Sequence, residues 1–176
     1  MGQQHVRIAI GSDHAGFELK ERLRDRLIDQ GHSVRDFGPT VPDPTDYADI
    51  AAPLAEAVVD GQHQLGIVVC SNGVGVSIAA NKVRGARAAL CTDPWSARRS
   101  REHTDCNILA LGSYVTGHAL AGEVVDAFIE AEFEGGRHVR RLAKLAAVEA
   151  KHSDVAEPIT ESVIEERGTP ELSPMA

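Results

Sequence analysis

Cys70 closes an apolar run, Ile67-Val68-Val69-Cys70, and is followed at once by Ser71-Asn72-Gly73-Val74-Gly75 and the helical run Val76-Ser77-Ile78-Ala79-Ala80-Asn81-Lys82. A thiol at a strand end, next to a glycine loop that opens a helix, sits among backbone N–H groups and the positive end of the helix dipole. Both favour negative charge, and the thiolate is the reactive form of cysteine. A base within a few residues of an oxyanion cradle is the equipment for proton abstraction beside a carbonyl. Two alternatives stand next to this one. Cysteine at a strand end is often a small buried hydrophobe, and Cys91, which no glycine loop follows, is read that way. The loop also offers two glycines of a dinucleotide fingerprint, with Asp93 about 20 residues on to meet a ribose, but the third glycine position holds Ile78.

Asp13 and His14 follow the first apolar run and pair a carboxylate for hydroxyls with an imidazole for phosphate or proton transfer. The plainer role for Asp13 is to cap the helix that starts near Gly16. His103 falls near the end of a helix that Pro94 opens, where the dipole favours an imidazolium; a surface histidine is the alternative. Arg137 and Arg141 lie four apart, on one face of a helix, where a phosphate would bridge them and a solvated face would not need one. Asp13, His14, His103 and Asp105 have no metal-ligand spacing, and no metal is expected.

These residues need a scaffold, and the chain alternates strand and helix signals to provide it. Strands are predicted at Val6–Ile10, Ser33–Phe37, Leu65–Cys70, Ala86–Cys91 and Ile108–Leu111. Helices are predicted from Gly16 to Gln30 (Leu19, Leu23 and Leu27 on one face), Tyr47 to Asp60, the glycine loop to about Val83, Pro94 to Arg101, near His118–Ala131, and about Arg137 to Lys151. Such alternation implies an α/β fold, a doubly wound five-stranded parallel sheet of Rossmann or flavodoxin type with helices on both faces. Sheets of this kind bind ligands at the carboxyl ends of their strands, where Asp13, His14, Cys70 and Asp93 all fall.

The 176 residues divide into a domain of residues 1–152 and a tail of residues 153–176, which holds six acids against Arg167 and so −5 of the net −8. The tail is expected to be disordered or docked on a partner. No basic stretch points to nucleic acid; Arg98-Arg99-Ser100-Arg101 reads as a solvated helix face. Three cysteines without a CxxC pair, no secretory leader and no membrane-length apolar run place the chain in the cytoplasm.

Assembled, these pieces resemble the ribose-5-phosphate isomerase B family, with its galactose-6-phosphate isomerase relatives. The likeness rests on Gly11-Ser12-Asp13-His14-Ala15-Gly16-Phe17, Thr45-Asp46-Tyr47, Cys70 through Lys82, Ser100-Arg101-Glu102-His103 and Glu134-Gly135-Gly136-Arg137-His138, spread over residues 6 to about 150 in the family's order. The resemblance implies an aldose–ketose isomerase of phosphorylated sugars, most simply ribose 5-phosphate and ribulose 5-phosphate, with no cofactor. Cys70 would be the base, because position 76, where other members carry a glutamate, is Val76. The N–H groups of Ser71, Asn72, Gly73, Val74 and Gly75 would form the oxyanion loop. His103, helped by Asp13, would open the furanose ring; His14, Arg137 and Arg141 would hold phosphate; Tyr47, Thr104 and Tyr114 would line the pocket. It further implies a homodimer or homotetramer with shared active sites, His103 reaching into the neighbour's. Asn72, Thr104 and Tyr114 depart from the family's usual residues (a small hydroxyl residue, an asparagine and an arginine). That leaves room for another sugar, such as allose 6-phosphate, galactose 6-phosphate or a tetrose phosphate. A non-catalytic sugar-phosphate or nucleotide sensor is the alternative of another class.

Overall fold

The computed structural model describes residues 5–152. Its elements follow in the order β1 (Arg7–Ser12), α1 (Phe17–Asp29), β2 (Ser33–Asp36), α2 (Tyr47–Val59), β3 (Leu65–Cys70), α3 (Val74–Ala80), β4 (Ala88–Leu90), α4 (Pro94–Thr104), β5 (Ile108–Gly112), α5 (His118–Glu130) and α6 (Arg137–His152). The predicted acidic tail, residues 153–176, lies outside the described residues.

All five strands are parallel, in the order β2-β1-β3-β5-β4. The expected doubly wound sheet is present, but its last two strands depart from the 2-1-3-4-5 order of flavodoxin-like sheets. Strand length and burial go with the exchange. Strand β5, Ile-Leu-Ala-Leu-Gly, is buried along its whole length and takes an inner place, whereas the three-residue β4 ends on an exposed leucine and stands at the edge. A short edge strand offers little to an unwanted pairing partner.

Period-two alternation assigns each side chain to a face. Ile8, Ile10, Ile67, Val69, Leu109 and Leu111 point toward a cluster completed by α1, α4 and α5. Ala9, Val68, Cys70, Ile108 and Ala110 point toward α2 and α3. On this second face small residues let the helices close in: a Cβ on Gly66 would lie 2.8 Å from Leu54, and one on Gly11 would lie 2.7 Å from Ile50. Cys70 therefore ends β3 on the side where α2 and α3 begin.

Several boundaries differ from the sequence expectation, β1 among them, which runs over Arg7–Ser12 rather than 6–10. Helix α3 stops at Ala80 rather than near Val83, because the Asn81 side chain turns to clamp the edge strand: Nδ2 donates to the Ala88 carbonyl at 2.9 Å and Oδ1 accepts from the Ala88 N–H at 2.8 Å. Strand β4 is accordingly shorter than 86–91. Helix α4 runs on to Thr104, where Asp105 takes a left-handed conformation (φ 44°) and ends it.

One consequence of the topology governs the site. Helix α4 starts after the carboxyl end of β4 and returns to the amino end of the sheet, where the Asn107 N–H donates to the Arg87 carbonyl. It carries His103 to the end of the sheet opposite Cys70.

Candidate active site

The first group of site residues forms around the carboxyl ends of β1, β3 and β5. Gly73, at φ 79°, turns the chain so that its N–H donates to Cys70 Sγ at 3.1 Å. A Cβ there would lie 2.4 Å from Leu90 and 2.9 Å from the Leu111 backbone, so only glycine fits. Asn72 Oδ1 accepts the Val74 N–H at 3.0 Å, closing an Asx turn over the loop, and lies 3.9 Å from Cys70 Sγ. This Asx turn gives Asn72 a structural task in the place of a small hydroxyl residue. Two of the expected oxyanion donors, Gly73 and Val74, are thus already engaged, whereas the Gly75 N–H has no acceptor among the described residues. Gly75 faces the Tyr47 ring, whose carbons would lie 3.0 Å from an added Cβ.

Neighbouring loops lock onto this one. The Ser113 N–H donates to the Cys70 carbonyl at 2.9 Å, the Tyr114 N–H to the Ser71 carbonyl at 2.9 Å, and the Asp13 N–H to the Val69 carbonyl at 3.2 Å. Ser113 Oγ donates to the Ala15 carbonyl at 2.8 Å. Asp13 is buried and Oδ1 accepts the Gly16 N–H at 3.0 Å, which closes the turn ahead of α1 without capping the helix, whose N-cap is Gly16; Oδ2 has no partner among the described residues. His14 Nδ1 accepts the Thr45 N–H at 3.3 Å and borders a cleft of about 470 Å³ with Phe17, Glu18, Tyr114 and His118. Tyr114 is 79% exposed at its mouth. Fully buried Lys20 pins the loop behind His14, with Nζ 2.7 Å from Asp36 Oδ2 and 2.7 Å from the Pro39 carbonyl.

The second group gathers His103, Thr104, Arg137 and Arg141 where α4 ends and α6 begins. His103 stacks on His138, with ring centroids 4.3 Å apart and planes 10° from parallel. Glu134 Oε2 lies 3.8 Å from His103 Nε2 and 3.6 Å from His138 Nε2. Burial above all, then His103, Arg137 and Arg141, pushes the His138 pKa down. The His103, Glu134 and His138 ligand atoms lie within 4.8 Å of one another, the spacing of a metal cluster. Nearly parallel rings, however, aim their lone pairs side by side rather than at one point, so the arrangement is not a ligating one. Arg137 and Arg141 are exposed, with no carboxylate partner among the described residues. Thr104 Oγ1 donates to the Ser100 carbonyl at 2.7 Å, so its hydroxyl serves its own helix.

Within one chain the two groups do not meet: the contacts of His103 among the described residues are with Arg99, Glu134 and His138. Asp93 belongs to neither. It caps α4, accepting from the Ser96 N–H at 2.8 Å and the Ser96 hydroxyl at 2.7 Å, and those bonds hold its pKa below the usual carboxylate value. Both oxygens are occupied, which removes the carboxylate that the dinucleotide alternative needed. Burial pushes the Cys91 thiol up to about 11, as suits a core residue. The 98–101 cations pair with Glu130, Glu102 and Asp105, but the face is not the solvated one expected: all three arginines are partly buried, and Arg101 packs over the Phe128 ring. No helix among the described residues is long and apolar enough to cross a membrane.

The family model for Ribose/Galactose Isomerase matches residues 8–145. The chain belongs to the ribose/galactose isomerase family. It is 45% identical over 147 residues to Ribose-5-phosphate isomerase B of Escherichia coli, covering 84% of this chain and 99% of that protein. It is 44% identical over 144 residues to D-erythrulose-4-phosphate isomerase of Pectobacterium atrosepticum, covering 81% of this chain and 94% of the relative. The solved structure of Clostridium thermocellum Ribose-5-Phosphate Isomerase B superposes with a TM-score of 0.82 at 50% identity, covering 84% of this chain and 99% of that one. In this member of the ribose/galactose isomerase family, sequence reasoning assigned no role to Glu134, His138, Arg99, Lys20 or His118. Glu134 and His138 stand inside a recognised motif, and that was their only signal. The other three come into place only through packing.

Proposed function

We propose that this chain is an aldose–ketose isomerase that interconverts ribose 5-phosphate and ribulose 5-phosphate. The observation that carries it is the Cys70 sulfur, held by the Gly73 N–H in a loop whose Gly75 N–H has no acceptor among the described residues, in a member of the ribose/galactose isomerase family. In the furanose form, the ring-opening step breaks the C1–O4 bond as a proton leaves the O1 hydroxyl and another is delivered to O4. His103 and Asp13 are the groups suited to those transfers. The Cys70 thiolate then takes the C2 proton and its electron pair forms the C1–C2 double bond. Negative charge gathers on O1 within reach of the Gly75 N–H. Return of the proton to C1, with transfer of the O2 proton to O1, completes the ketose. His14, Arg137 and Arg141 hold the phosphate, and Tyr47 walls the pocket. No metal or organic cofactor enters.

His103, Arg137 and Arg141 come to the Cys70 site from a second copy of the chain. Two observations support this: α4 carries His103 away from its own Cys70, and α6 leaves Val139, Leu145 and Val148 more than half exposed beside an 800 Å³ apolar groove along β4. The three free thiols suit a reducing, cytoplasmic setting.

The test is isomerisation of aldose phosphates of four to six carbons by the wild type and Cys70→Ala. Conversion of ribose 5-phosphate that is lost in the variant is expected, and full activity of Cys70→Ala would sink the mechanism. A four-carbon substrate is the second reading. It is favoured by Tyr114 in the mouth of the His14 cleft, where the family often has an arginine, and by the likeness to a tetrulose-phosphate isomerase.

A further inference from the structure

His103 ends a helix and is one-third exposed, and from its own helix Arg99 alone among the described residues reaches its ring nitrogen, at 3.4 Å, which leaves the ring plane unset. That setting comes from the start of α6. His138 is 2% exposed and lies face to face with His103. Its Nε2 accepts from Arg137 Nε at 3.3 Å, which leaves the proton on Nδ1, a buried atom without a partner among the described residues. The turn that carries Glu134 is tied to α4 by the Glu134 N–H, which donates to the Glu102 carbonyl at 3.0 Å. Arg99 Nη1 bridges the same elements, 2.7 Å from Glu102, 3.4 Å from Glu134 and 3.4 Å from His103 Nε2.

We propose that His138 and Glu134 are positioning residues for His103: the buried ring holds the His103 plane by stacking, and the carboxylate sets the direction of its Nε2. This inference rests on the proposed isomerase reading, in which His103 opens the sugar ring. A neutral His138 also lets His103 carry a proton without a second imidazolium against its face. Because Arg137 donates to His138, the phosphate-holding and ring-opening groups form one connected unit that a chain presents to its neighbour.

The two halves of the reaction separate the proposal from a general structural role. Ribulose 5-phosphate is acyclic, so exchange of its C1 hydrogen with D2O needs Cys70 but no ring opening. In His138→Ala and Glu134→Gln, conversion of furanose ribose 5-phosphate is expected to fall between about 10- and 100-fold, while exchange into ribulose 5-phosphate changes by less than about threefold. Glu134 is nearly half exposed and keeps its backbone bond as glutamine, so this variant tests the idea even where His138→Ala fails to fold. Equal loss of conversion and exchange, or no loss of either, overturns the proposal while leaving the isomerase reading in place. Should the wild type convert no aldose phosphate, the isomerase reading fails. The pair is then judged by NMR: the His103 ring protons should sit upfield in the wild type and move downfield in His138→Ala. A resonance that does not move overturns the proposal.

Discussion

The Gly73 N–H donates to Cys70 Sγ across 3.1 Å, and the left-handed turn that makes this possible also starts α3. One backbone conformation therefore both holds the Cys70 sulfur and starts α3.

Substituting Gly73 by alanine puts a Cβ into Leu90 and the Leu111 backbone and forces a side chain into positive φ. A loss of about 2 kcal/mol or more in stability is expected from the combined clash and strain, together with a large fall in kcat. Urea unfolding alongside steady-state kinetics checks this; a fully active, equally stable variant would refute the loop geometry.

Thiol chemistry should discriminate among the cysteines. Burial holds Cys91 protonated, with its pKa up at about 11, and raises that of Cys106, whereas Cys70 has an N–H aimed at its sulfur. Iodoacetamide at neutral pH should modify Cys70 first, with activity lost in step. Peptide mass mapping that finds Cys91 alkylated as fast would contradict the assignment.

Arg137→Ala should raise KM for the sugar phosphate by about tenfold or more and change kcat less, since a phosphate is held in ground and transition states alike. A fall in kcat at constant KM would instead assign Arg137 to the chemical step.

Lys20→Met removes the buried ammonium from Asp36 and the Pro39 carbonyl. Breaking one side of a buried pair costs about 3 kcal/mol. Because the loop it pins also supplies the Thr45 N–H to His14, KM should rise as well. A variant with unchanged urea midpoint would show that the pair contributes nothing.

Stability should fall on the acid side. Burial is the first cause lowering the pKa of His32, His63 and His138 from the ordinary 6.5. The unfolded chain then binds more protons than the native one just below pH 6.5, so these histidines support the fold above 6.5 and that support is lost as pH drops through it. Asp93, lowered from 3.8 by its bonds to Ser96, adds a further loss in stronger acid. Melting temperature measured from pH 8 to pH 5 should decline below about 6.5, with a shallower decline in His63→Gln. A flat profile would contradict these shifts.

Local chemistry was enough to read the strand–helix alternation, the parallel sheet and the turn that Cys70 and its glycine loop make at the end of β3. Period-two and period-3.6 patterns, a first-turn proline before Trp95 and glycines next to a thiol are all short-range signals. The motif containing Glu134, Arg137 and His138 was visible as a resemblance, but the contacts its residues make with one another and with His103 were not. Strand order was beyond the sequence, because β4 and β5 differ only in how well each fills an inner slot, a property of the whole sheet. So were the separation of His103 from Cys70, set by the return direction of α4, and the capping by Asp93, since a carboxylate 20 residues past a glycine loop reads alike as ligand or cap. Lys20 gave no warning either: a lysine in an amphipathic helix looks solvated until distant Asp36 and Pro39 close over it. By itself the sequence determined the family and the elements that carry its motifs. The tertiary structure decided which of them meet, because meeting depends on long-range packing that no local window contains.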